Sequence, residues 1–313
     1  MGDCLRLVQF HDPFRTGRRL GLVEEDRVYD LTSANSALDS FMALLELSGG
    51  RVGELASGAR SAGEKVGEDA VHSWAAIDRE PHPDTAHLLI PISAPEVWGF
   101  GVTYRRSAEA RDADVARATD ASASIYDRVY HSERPECFFK ATPPRCTGPY
   151  GIIGIRSDSV LTATEPELAY VLGKDREIVG YTICNDVSAW DLERENPLYL
   201  PQSKIFTGCC ALGPAITLAA GGPDPYALEI ACRIIRDEKV IYEDSTSSGN
   251  IGRRFEELNE YLYRDNPVPV GTVVSTGTGI MVPNEYSLKD GDLVEIDIGG
   301  IGTLRNTARK LGG

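Results

Sequence analysis

The 313 residues are 42% hydrophobic and 25% charged, which supplies a sizeable core and excludes global disorder. The formal net charge of -15 argues against nucleic acid as a partner, because phosphate contacts need a basic face, and an anionic substrate would need lysine, arginine or a metal ion to hold it. Seven cysteines, an odd number without Cys-x-x-Cys spacing, fit a reducing compartment; the opening MGDCLRLVQF has no signal-peptide core and no apolar run approaches the roughly 20 residues of a membrane span, so a cytoplasmic protein with no membrane partner is expected.

Along the chain, Leu5 to Phe10, Leu20 to Val23 and Val28-Tyr29 read as short strands around the charged turn Glu24-Glu25-Asp26. Leu38, Phe41 and Leu45 recur at helical spacing, and the glycines and serines from Ser48 to Gly67 then break the pattern. Pro81, Pro83, Pro91 and Pro95 disfavour helix and mark a junction near residue 90. A small N-terminal α+β domain over residues 1–90 and a larger one over 91–313 are therefore expected. In the larger part, Leu168 to Leu172 and Ile178 to Ile183 are apolar runs joined by Gly173-Lys174-Asp175, a hairpin signal. Leu228 to Ile235 and Thr272 to Ser275 are further strands, and Val294, Ile296 and Ile298 alternate with Glu295 and Asp297. Ile251, Phe255, Leu258 and Leu262 predict a helix. No glycine-rich phosphate loop precedes a helix, which disfavours a nucleotide fold. The class is β-rich α+β.

Thr164-Glu165-Pro166-Glu167-Leu168 opens a strand, so Glu165 and Glu167 project from one face. Asp186 ends the next apolar run, and a hairpin returns it beside the pair. Three acids gathered this way suit an oxygen-ligated ion such as Mg²⁺, Mn²⁺ or Ca²⁺. The same spacing is also that of a solvated strand face, with Asp186 as a turn residue.

The string EPELAYVLGKDREIVGYTICNDVSAWDLERENPLYLPQSK resembles the core of the fumarylacetoacetate hydrolase superfamily. The likeness extends to Gly99-Phe100-Gly101-Val102-Thr103-Tyr104, Phe139-Lys140, Lys204, Ser275-Thr276-Gly277-Thr278-Gly279 and the ending from Gly291 to Asn306, covering about residues 95–306. The resemblance implies a mixed β-sandwich roll with a small N-terminal domain and a homodimer or homotetramer. It also implies Mg²⁺ on Glu165, Glu167 and Asp186, and a small 2-oxo acid substrate. VYHSERPECFFKATPPRC, ENPLYLPQSKIFTGCCALGP and the stretch 261–267 are similar to sugar-acid dehydratases of that superfamily, which implies loss of water from a 2-keto-3-deoxy sugar acid through an enolate. On that reading Glu136 is the acid–base group and Lys204 holds the anionic end, with Arg106, Lys140 and Thr278 as substrate contacts. A carbon–carbon hydrolase or decarboxylase of an acylpyruvate-like acid is the alternative, and a weakly catalytic binding member of the fold a third. Hydrolases of the superfamily often place a His–Glu dyad after the Gly-x-x-Tyr stretch; here that segment, Tyr104 to Ala110, has no histidine. The nearest, His131, reads as a surface residue.

Overall fold

The computed structural model describes residues 4–105 and 125–312. The N-terminal part contributes strands β1 (Arg6–His11), β2 (Arg18–Glu24), β3 (Arg27–Asp30), β4 (Val71–Ser73) and β5 (His87–Leu89). The middle of the chain gives β6 (Val97–Gly101), β7 (Glu136–Ala141), β8 (Cys146–Thr147), β9 (Ile152–Ile155), β10 (Thr162–Ala163), β11 (Pro166–Leu172), β12 (Ile178–Asp186), β13 (Ser188–Ala189) and β14 (Cys210–Leu218). The last third adds β15 (Glu229–Arg236), β16 (Lys239–Ser247), β17 (Val273–Ser275), β18 (Leu293–Ile298) and β19 (Gly302–Lys310).

Among the described residues, a 12-stranded sheet runs β4-β3-β2-β1-β14-β12-β11-β17-β6-β7, with β5 on β1 and β8 on β14. A 5-stranded sheet, β16-β15-β18-β19-β9, packs against it through β14–β19, β11–β15 and β12–β18. Parallel pairs β6–β17, β8–β14 and β9–β19 make the sheets mixed. This is the β-rich, sandwich-like α+β fold the sequence led us to expect. One continuous core joins N-terminal leucines such as Leu7, Leu20 and Leu22 to Leu168, Ile183 and Ile216. The N-terminal strands belong to the same sheet, because β1 pairs with β14 at Arg6↔Thr217 and Leu7↔Ile216.

The three N-terminal strands and the β11–β12 hairpin form where the alternation placed them, and the helix at Phe255–Leu262 buries Phe255, Leu258 and Leu262. Ile251, expected to open that helix, instead bridges to Tyr104. The helix Val52–Gly63 departs from the sequence expectation of an irregular stretch. Its buried face is Leu55 with Ala56, Ala59 and Ala62, a narrow stripe of mostly small residues. Small side chains permit close approach: a Cβ on Gly58 would meet Leu44 Cδ1 at 3.4 Å and one on Gly63 would meet Leu22 Cδ2 at 2.9 Å. Glu177, from the β11–β12 turn, caps this helix by accepting the Val52 N–H at 3.1 Å.

β14 was hidden by Gly213-Pro214, which reads as a breaker yet lies in a strand buried at every position. The ladder shifts register opposite it, between Tyr181 and Ile183, which accommodates a residue with no N–H to donate. The turn into β18 is held by Asp292, fully buried, which takes two bonds of 2.8 Å from Arg236 and one of 2.8 Å from the Lys289 N–H. Asp292→Ala strands that guanidinium and the turn amide together, and should lower stability by about 2–4 kcal/mol, read as a fall in urea midpoint at unchanged m-value.

Candidate metal centre

The hairpin register decides which acids meet. Pro166 pairs with Asn185 and Glu167 with Cys184, so the chain beyond sets Glu165 against Asp186, whose N–H bonds the Glu165 carbonyl at 3.0 Å. Glu165, Glu167 and Asp186 each offer a carboxylate oxygen, all within 4.8 Å of one another, and each residue is at most 2% exposed. The solvated-face alternative is thereby removed.

Each carboxylate is aimed by a neighbour. Trp190 Nε1 donates to Glu165 Oε1 at 2.5 Å. The Ser275 hydroxyl and the Gly277 N–H, the latter at 2.8 Å, both donate to Glu167 Oε2. Lys140 Nζ lies 2.5 Å from Asp186 Oδ1. Lys204 Nζ spans Glu165 Oε2 and Asp186 Oδ2 at 2.9 Å each, and also donates to the Ser188 hydroxyl at 2.6 Å. Gly277 has φ +87, and a Cβ there would fall 2.1 Å from Thr103 Oγ1, so glycine is required for this amide to reach the carboxylate.

Among the described residues, three buried carboxylates face two buried ammonium groups, an excess of one negative charge. Burial, reinforced by the charges of Asp186 and Glu165, accordingly pushes the Glu167 carboxyl up to about 8. Burial works most strongly against the Lys140 ammonium, but Asp186 and Cys209 beside it together outweigh that and hold its pKa above the ordinary lysine value. The donor set is all oxygen and the missing charge is positive, so the residues fit a hard divalent cation.

The cavity around the triad is lined by Phe100, Gly101, Glu136, Phe138, Lys204 and Thr278 among others, and leaves about 10 Å³, room for roughly one water. β6 shapes it. Gly99 and Gly101 stand opposite Phe138 and Glu136 of β7. A Cβ on Gly101 would lie 1.9 Å from Glu136 Oε2, and one on Gly99 2.5 Å from Phe138 Cζ. The two glycines therefore make the space in which the Glu136 carboxylate and the Phe138 ring sit. Past Glu136 and Leu200 a wider chamber of about 300 Å³ opens, walled by Val129, Arg134, Pro135, Glu193 and Pro197.

The sequence profile of the fumarylacetoacetate (FAA) hydrolase C-terminal region matches residues 96–309. This chain belongs to the fumarylacetoacetate hydrolase family. Within the family it is 50% identical over 220 residues to the 2-dehydro-3-deoxy-D-arabinonate dehydratase of Saccharolobus solfataricus, an alignment covering 70% of this chain and 74% of that one. It is 40% identical over 290 residues to a probable 2-keto-3-deoxyxylonate dehydratase of Haloferax volcanii, covering 93% and 95%. A solved 2-keto-3-deoxy-D-arabinonate dehydratase complexed with magnesium and 2,5-dioxopentanoate superposes with a TM-score of 0.80 at 37% identity, covering 98% of this chain and 100% of that one.

Of the residues singled out in the sequence, Glu136, Lys204 and Thr278 line the cavity with the three acids. Lys140 does not line it: fully buried, its ammonium is taken up by Asp186, by the Val187 carbonyl at 2.9 Å and by the Lys204 carbonyl at 2.7 Å. It serves as a countercharge behind Asp186 and corrects the expectation of a substrate contact. Arg106 lies outside the described residues. Sequence reasoning missed Trp190 and Ser275, which aim the glutamates, and Tyr104, whose buried hydroxyl has no hydrogen-bond partner among the described residues. Burial, with the charge of Glu167, raises the Tyr104 phenol far above its usual value. Ser275 sat in a stretch that the family likeness marked; Trp190 had no signal beyond a large side chain after Ser-Ala.

Proposed function

We propose that this protein is a magnesium-dependent hydro-lyase of a 2-keto-3-deoxy pentonic acid, of the 2-keto-3-deoxy-D-arabinonate type, giving 2,5-dioxopentanoate. Glu165, Glu167 and Asp186 are the ligands, Glu136 is the acid–base residue, and Lys204 and Thr278 contact the substrate. The observation that carries this reading is the content of the cavity. Among the described residues lining it, the titratable groups beyond the triad are Glu136 and Lys204, and the sequence holds no histidine between His87 and His131. A single carboxylate suffices for elimination, whereas the His–Glu dyad with which hydrolases of the family activate water lacks its histidine here.

Glu165, Glu167 and Asp186 would hold magnesium, which would supply the positive charge needed to polarise the 2-oxo group and acidify the C3 protons. The chain's own groups do the rest. The Lys204 ammonium, held by Glu165, Asp186 and Ser188, lends its positive charge to the anionic end of the acid, and Thr278 borders it. The Glu136 carboxylate takes a proton from C3; the electron pair moves into the C3–C4 bond and the C4 hydroxyl departs, receiving a proton from Glu136 as it leaves as water. A second transfer, from C5 back to C3 along the conjugated system, leaves a C5 enol that ketonises to the aldehyde. The C4–C5 end of the substrate points into the chamber past Leu200. The test is incubation of the purified protein and Mg²⁺ with 2-keto-3-deoxy pentonates, hexonates and acylpyruvates, read by mass spectrometry. Loss of water from a pentonate is expected; cleavage of acylpyruvates with every sugar acid untouched overturns the reading.

The space left by Gly101 gives a further expectation. Gly101→Ala drives a methyl into the Glu136 carboxylate, so turnover should fall about 10²-fold while magnesium affinity, measured by calorimetry, stays near wild type. Unchanged turnover would mean that Glu136 is not placed by this glycine.

We also propose a homodimer or homotetramer in the cytoplasm. Its support is the family likeness, the exposed Ile152 and Val240 on the outer strands of the smaller sheet, and seven cysteines that are all free thiols. Among the described residues no helix is long and apolar enough to cross a membrane. Sedimentation should give a multiple of 34.0 kDa; a monomer at micromolar concentration would contradict the assembly.

A further inference from the structure

Three of the free cysteines are drawn together by strand pairing. Cys210, the first residue of β14, stands opposite Asp186 of β12 on one side and opposite Cys146 of β8 on the other. The Cys184 and Cys210 sulfurs are 3.8 Å apart, and the Cys146 thiol, level with Cys210 in the strand register, donates to the Thr142 carbonyl at 3.5 Å. Cys184 and Cys210 are fully buried, while Cys146 is part-exposed, which makes it the outer member of the row. Cys146 and Cys210 face each other across neighbouring strands, whose spacing of about 4.8 Å falls inside the Cα separation a disulfide spans. The neighbouring Cys210 thiol first, then the charges of Lys140 and Arg145, hold the Cys146 pKa below the ordinary thiol value against the opposing effect of burial. Cys137 is the contrast. Although Cys137 is an exposed residue, partial desolvation of its sulfur and the neighbouring Glu136 charge push its thiol up to about 12.

We propose that Cys146 is a hydroperoxide-reactive thiol that Cys210 resolves into an intramolecular disulfide. In the first step the Cys146 sulfur attacks one oxygen of the peroxide; the O–O bond breaks, the sulfur is oxidised to a sulfenic acid, and the other oxygen leaves as water or alcohol. In the second step the Cys210 sulfur attacks that sulfenyl sulfur; an S–S bond forms, the S–O bond breaks, and the hydroxyl leaves as water with the Cys210 proton. Cys184 stays reduced behind the pair. The product ties β8 to β14 one strand away from Asp186, and a dithiol reductant reverses it.

The experiment uses the full chain with Mg²⁺, freed of reductant and treated with hydrogen peroxide, then mapped by peptide mass spectrometry with and without dimedone. A linked Cys146–Cys210 peptide pair within one chain is expected, forming at least about tenfold faster than modification at Cys137. With dimedone present, the adduct should appear on Cys146 at the expense of the disulfide. Cys146→Ser, at the part-exposed end of the row, should leave Cys184 and Cys210 reduced. The proposal is overturned if Cys146 stays reduced while Cys137 or Cys4 reacts. It is also overturned if Cys146 proceeds to sulfinic acid without a linked peptide, or if Cys146→Ser forms a Cys184–Cys210 disulfide at the wild-type rate.

Discussion

Glu167→Gln should bind magnesium at least about 10²-fold more weakly than wild type and lose turnover to match, with a chelator producing the same loss reversibly in the unmodified protein. Glu167 is the acid whose charge is hardest to keep without a cation, since burial and its two acidic neighbours push its carboxyl up to about 8. Near neutral pH a large share of that group is therefore protonated until a cation displaces the proton. Magnesium binding should release protons at pH 7, and the apparent affinity should rise with pH until it levels above about 8, because deprotonation is the step that competes. Calorimetry in buffers of different ionisation enthalpy reads the proton count directly. Full turnover in chelated protein, or an affinity that falls as pH rises through neutrality, would remove the metal from the mechanism.

Glu136→Gln should keep magnesium affinity and lose turnover by about 10²-fold or more, the usual scale for an acid–base group. The amide is isosteric in the space that Gly101 leaves, so the loss cannot be assigned to a clash. In deuterated water the wild type should exchange C3 protons of a substrate analogue lacking the C4 hydroxyl, and the variant should not. Exchange at the wild-type rate in Glu136→Gln would assign proton removal to another group.

The sequence carried the hairpin that builds the triad, because apolar runs on both sides of Gly173-Lys174-Asp175 define their own pairing, and the resemblance added what spacing left open. Periodicity could not separate Glu165 and Glu167 from a solvated strand face; only the tertiary cover supplied by Trp190, Lys204 and Ser275 does that. Lys140 shows the converse. A lysine in a family motif reads as a hand for substrate, yet its place is fixed by two carbonyls and Asp186, which no local pattern encodes. The helix Val52–Gly63 escaped because its buried stripe is mostly alanine, with Leu55 its single large apolar residue, and its cap, Glu177, lies more than 100 residues away in sequence.

The pairing of β1 with β14 bears on how this protein can be shortened. A chain trimmed to begin near residue 91 would still contain every proposed ligand, but it would leave the amides and carbonyls of Ile216 and Thr217 with no neighbour on the side β1 now covers. β14 is apolar and buried along its length, so trimming converts an interior strand into a sticky edge that invites other chains to add on. The first 90 residues thus act as a guard against aggregation as much as an appendage, and a truncated form is expected to precipitate rather than to persist as a smaller enzyme.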